Sequence, residues 1–104
     1  MTTKTTKTNK LKAFLIEKIE DMKGRDITVL DISEKSNFAD FMIVCSGNSK
    51  RHVKSISQSV ATECRAAGIN PLGIEGDDIG EWALVDLSNV IVHIMTDETR
   101  DRYL

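Results

Sequence analysis

The sequence predicts one α/β domain, a mixed five-stranded sheet with flanking helices mainly on one side. Three observations lead there. Apolar residues recur at helical spacing in two long stretches, residues 10–23 and 49–67. Around them lie short segments rich in β-branched and aromatic residues and bounded by turn formers: ITVLDIS, FMIVC, LGIE, WALVDL and VIVHIM. The resulting order, αββαβββα, sets a helix between two strands. That implies one right-handed parallel crossover beside antiparallel hairpins.

In chain order, residues 1–9 are polar and low in complexity, and they are expected to form a disordered tail ahead of a single domain over residues 10–104. The first helix carries Leu11, Phe14, Leu15, Ile19 and Met22 on one stripe, and Gly24 stops it. Residues 27–33 form a β-branched strand. FMIVC, residues 41–45, reads as a strand buried on both faces. The second helix follows the turn SGNS, with Val53, Ile56, Val60, Cys64 and Ala67 as its stripe and Gly68 as its stop. Asn70-Pro71 opens a third strand, because the residue before proline leaves the helical region. Thr96, Asp97 and Glu98 begin a last, short helix with acids placed well for its dipole.

WALVDL and VIVHIM read as a hairpin closed at Ser88-Asn89, with Asn tolerating the positive φ of a tight turn. Leu87 then faces Val90, Asp86 faces Ile91, and the pairing runs up to Trp82 opposite Met95. Alternation along the strands puts Ala83, Val85, Leu87, Val90, Val92 and Ile94 on one wholly apolar face, to lie under helices. The other face holds Trp82, Leu84, Asp86, Ile91, His93 and Met95.

The bulk numbers exclude several classes. A net charge of −2 lacks the basic excess of a generic nucleic-acid binder and suits a basic partner better. The longest apolar runs fall far short of the roughly 20 residues of a membrane span, and the N-terminus has no secretory h-region. Cys45 and Cys64 lack metal-ligand spacing, so reduced thiols in a cytoplasmic protein are expected, with no metal or cofactor.

Three groups of residues could carry function. Gly47, Asn48, Ser49, Lys50, Arg51 and His52 form a glycine turn opening a helix, where backbone N–H groups can meet an anion; otherwise they are a solvated first turn. A nucleotidyltransferase also uses such a turn, but needs paired carboxylates for metal, and the next strand offers Glu75 alone. His93 with Asp86 and Glu75 could do acid–base chemistry but has no nucleophile beside it. Trp82 ringed by Glu75, Asp77, Asp78, Glu81 and Asp86 suggests a docking patch for a basic protein, against the alternative that Trp82 packs under the last helix.

Taken together, KGRDITVLDIS, DFMIVCSGNSKRHVKSI, AAGINPLGIEG, WALVDLSNVIVHIM and ETRDRYL resemble, in that order, the Iojap or ribosomal silencing factor family over most of the chain. The resemblance implies a nucleotidyltransferase-like fold without the catalytic carboxylates, and no enzymatic activity. It implies binding to the large ribosomal subunit through ribosomal protein L-fourteen, a steric block to subunit joining, and repression of translation when nutrients are scarce. Organelle relatives act in large-subunit assembly, and some members look dimeric. The family's hallmark positions fall here on Asp40, Ser46, Gly47, His52, Glu75, Gly76, Trp82, Asp86, His93, Arg100 and Tyr103. On the face argument, the expected partner-binding residues are Trp82, Leu84, Asp86, His93 and Met95, with Glu75 and Asp77 at the rim. The alternatives are a nucleotide- or anion-binding enzyme centred on residues 47–52 and Glu75, or an assembly factor using the same face.

Overall fold

A computed structural model of the chain describes residues 3–103. The elements are α1 (Thr3–Asp21), β1 (Arg25–Asp31), β2 (Phe41–Gly47), α2 (Lys50–Ala66), β3 (Gly73–Glu75), β4 (Trp82–Asp86), β5 (Val90–Thr96) and α3 (Asp97–Tyr103). Their order matches the expectation. The strands form one five-stranded sheet in the order β1-β2-β5-β4-β3, with β2 and β5 parallel and every other neighbouring pair antiparallel. The helix α2 thus connects β2 to a parallel strand at the far edge, and the hairpin β4–β5 fills the gap between them.

The hairpin register is the expected one, Trp82 opposite Met95 down to Asp86 opposite Ile91. The positive φ of its turn, however, falls on Ser88 (75°) rather than Asn89. Asp86 explains the shift, because its Oδ1 accepts the Ser88 N–H at 2.9 Å and holds the left-handed turn in place.

Ala83, Val85, Val90, Val92 and Ile94 are fully buried beneath α1 and α2. Leu15 and Ile19 of α1, and Val53, Ile56, Val60 and Cys64 of α2, complete this core. The helix α1 starts at Thr3, ahead of the expected start at residue 10; residues 1 and 2 lie outside the described residues. Thr-Lys repeats contain no helix breaker, and Thr8 is buried in register with Leu11, Leu15 and Ile19, so the stripe extends one turn further.

The stop of α1 also differs in detail. Lys23 takes the left-handed conformation (φ 64°). Lys23 N–H donates to Glu20 O and Gly24 N–H to Ile19 O, the paired bonds of a Schellman ending. Gly24 is required for space, since a Cβ there would overlap Ile19 Cγ2. At the end of α2, Gly68 (φ 80°) takes the expected role.

Candidate functional site

The second sheet face carries a group of partly exposed apolar residues. On it lie Thr28 and Leu30 of β1, Met42, Val44 and Ser46 of β2, Ile91, His93 and Met95 of β5, Trp82, Leu84 and Asp86 of β4, and Glu75 of β3. The short helix α3 packs over one end of it, against β5 and β2. Beyond α3 the centre is buried (Val44, His93) while Leu30, Met42, Leu84, Ile91 and Trp82 reach solvent in part.

Trp82 sits between two neighbours. Its indole Nε1–H donates to His93 Nδ1 at 2.9 Å, with ring centroids 5.8 Å apart. On its other side the Tyr103 ring of α3 lies 5.3 Å away, tilted by 42°. Trp82 remains 39% exposed and Tyr103 58%. The two readings of Trp82 therefore both hold in part: the last helix packs against the indole, and the indole still faces solvent.

Because indole N–H only donates, His93 Nδ1 must be unprotonated here, which fixes the neutral tautomer with its proton on Nε2. Burial holds the His93 pKa below the ordinary histidine value.

Polar bonds fix α3 in place. Arg100 donates to Asp26 O at 2.6 Å, Ser46 Oγ at 2.9 Å and Thr28 Oγ1 at 3.0 Å. Arg25 donates to Asp97 Oδ2 at 2.8 Å and to Asn48 Oδ1 at 2.7 Å. A bulge between Arg25 and Thr28, with Asp26 at φ 51°, turns the Asp26 carbonyl to where Arg100 can use it. Thr96 caps the helix, its Oγ1 accepting the Thr99 N–H at 3.3 Å.

Of the expected partner-binding residues, Trp82, Leu84, Asp86 and Glu75 share the face and are at least partly accessible, and Asp77 lies in the loop at its rim. Two corrections follow. Met95 is 2% exposed because α3 lies on its end of the sheet, so it cannot present a contact surface in this conformation. His93 is 9% exposed and is turned to the indole, so it supports the patch from beneath. The carboxylate of Asp86 is shared with its turn.

The structure adds Leu30, Met42 and Ile91, together with Tyr103 of α3. Reading FMIVC as buried on both faces hid Met42; the alternation of β1 and β2 against the hairpin would have placed it.

The turn at residues 46–52 is engaged with its own surroundings. Ser49 caps α2 by accepting the His52 N–H at 3.1 Å. His52 Nδ1 accepts the Asn48 N–H at 2.8 Å, so its Nε2–H donates to Met22 O at 2.7 Å. Lys50 pairs with Glu81 at 3.3 Å, while Arg51 is exposed. Gly47 is required because a Cβ would lie 2.9 Å from Val53 Cγ2. The adjoining hollow of about 320 Å³ is lined by Glu81, Asp97 and Glu98 as well as by Lys50 and Arg102, and each acid there is paired with a cation, Glu81 with Lys50, Asp97 with Arg25 and Glu98 with Arg102.

Among the described residues, no group of three or more His, Cys, Asp or Glu is placed to hold a metal, and no helix is long and apolar enough to cross a membrane.

The chain matches the family model described as "Ribosomal silencing factor during starvation" over residues 5–104, and it belongs to that family. It is 41% identical over 90 residues to ribosomal silencing factor RsfS of Haemophilus influenzae, covering 86% of this chain and 88% of that protein. Identity to ribosomal silencing factor RsfS of Chromobacterium violaceum is 44% over 88 residues, 85% of this chain and 72% of the relative. A crystal structure of a Chromobacterium violaceum protein superposes with a TM-score of 0.89 at 41% identity, covering 91% of this chain and 79% of that one.

Proposed function

We propose that this chain docks on the large ribosomal subunit through ribosomal protein L-fourteen, using the sheet face around Trp82, and that it blocks subunit joining by occupying that surface. The observation that carries the reading is an accessible aromatic pair, Trp82 and Tyr103, on a partly exposed apolar sheet face with acids at its margin. A tryptophan held in one orientation with an acidic margin suits a basic protein partner: the ring supplies burial and the margin steers the encounter. A central anchor of this kind contributes on the order of 2 kcal/mol or more, so Trp82→Ala should weaken binding to isolated large subunits by about 30-fold. Sedimentation of mixed subunits tests the consequence. Added protein should raise free subunits at the expense of joined ribosomes, and Trp82→Ala should not. An unchanged profile with the wild-type protein overturns the occlusion reading.

A further inference from the structure

We propose that His93 is a positioning residue that couples the docking face to pH: neutral His93 locks the Trp82 indole in its docking orientation, and protonation of Nδ1 releases it. This rests on the docking role of the Trp82 face. The geometry leaves little choice about the proton. Indole Nε1–H is a donor only, and it points at His93 Nδ1 from 2.9 Å. A proton on that nitrogen would set two N–H groups against each other, so the bond must break. The imidazolium formed would sit in a place 9% exposed and would need water. Trp82 can admit it, because the indole is already 39% exposed.

Among the described residues, no charged side chain is paired with His93. Towards β2, His93 is paired with Val44, and Met42, Val44 and Ser46 carry no charge. On β4 its register partner is Leu84, and the one acid on that strand's face, Asp86, accepts from the Ser88 N–H. Glu75 of β3 lies beyond Leu84, in register with it rather than with His93. On α3 the groups toward this end are Tyr103, against Trp82, and Arg100, a cation bonded to Ser46 and Thr28 that opposes a second positive charge. Burial then places the transition below the ordinary histidine range. The released indole takes the Tyr103 packing with it, so the patch loses its fixed shape at low pH. If only the locked form docks, affinity falls about tenfold for each pH unit below the transition.

Trp82 is the single tryptophan, so its fluorescence and its Nε1–H resonance report the lock directly, without any partner. In a titration from pH 8 to pH 4.5, the wild type should show one transition below about pH 6.5 while far-UV circular dichroism stays constant. His93→Gln should show none, and His52→Gln, which removes the other histidine, should titrate like the wild type. A flat wild-type signal in the folded protein, a transition that persists in His93→Gln, or one that coincides with global unfolding overturns the proposal. With large subunits, wild-type affinity should drop across the same range and His93→Gln affinity should not. Failure of the docking role itself has a different signature, namely equal affinity of Trp82→Ala and wild type at pH 7.5 with the fluorescence transition intact.

Discussion

Replacing Gly76 by alanine should be among the most damaging single-methyl changes in this protein. Gly76 follows β3 at φ 76°, where a Cβ would overlap the Trp82 carbonyl oxygen. Two costs combine. The left-handed backbone costs an alanine roughly 1–2 kcal/mol. Displacing a main-chain carbonyl at the start of β4 adds about 1–3 kcal/mol, because no flexible side chain can give way. The reduced entropy of the unfolded chain returns about 0.4–1 kcal/mol, leaving a net loss of about 1–5 kcal/mol, centred on about 3. Gly68 supplies the control. Its φ is 80°, yet nothing lies within 4 Å of a Cβ there, so Gly68→Ala should lose only about 1 kcal/mol. Urea denaturation followed by circular dichroism measures both. If Gly76→Ala loses no more than Gly68→Ala, the close approach to Trp82 is not what makes glycine necessary. If the approach does matter, Gly76→Ala should also weaken large-subunit binding, since it moves the strand end that carries the indole.

Other substitutions test the remaining supports. Arg100→Met removes three hydrogen bonds and strands the buried Ser46 hydroxyl, so it should cost about 1–3 kcal/mol and speed amide exchange throughout α3; unchanged exchange would mean that α3 is held by something else. Cys45 and Cys64 are buried, with burial pushing their thiols up to about 12 and about 11, so a thiol reagent at pH 8 should label neither until denaturant is added. His93 also ties stability to pH. Its pKa is lower folded than unfolded, so the unfolded chain takes the proton first. The contribution is full above about pH 6.5, declines as pH falls toward the folded value, and is absent from the pH profile of His93→Gln.

The β4–β5 hairpin was legible residue by residue because each strand reports its own alternation, and one buried face sets the register. Helix stripes were legible for the same reason. The strand order was not: a crossover pattern says that β2 and β3 run parallel, but only tertiary packing sends α2 past the width of two strands. The accessible part of the Trp82 face was half legible. Alternation placed Trp82, Leu84 and Asp86 together, but it could not show that α3 folds back over Met95, because that depends on Arg25 and Arg100 finding partners on β1, β2 and the turn after β2. Positive φ values at Lys23 and Ser88 escaped as well, since the adjacent Gly24 and Asn89 are the more usual carriers.

The turn at residues 46–52 shows how a motif that looks chemical becomes structural once its donors are assigned. Gly, Ser, Lys, Arg and His ahead of a helix invite an anion. Here Asn48, Ser49, Lys50 and His52 are each used to join elements, while Arg51 is exposed. His52 ties the end of α1 to the turn, Ser49 caps α2, Asn48 takes Arg25 from β1, and Lys50 meets Glu81 before β4. Gly80 brings the acidic loop against the same place, where a Cβ would lie 2.5 Å from the Lys50 carbonyl oxygen. The same Arg25 holds Asp97 at the start of α3. The turn therefore fixes the cap on the Trp82 face from behind, and its polar residues bear on the shape of that face through geometry. A substitution such as His52→Ala should loosen α1 and the turn together, whereas a residue that only held an anion would leave both in place.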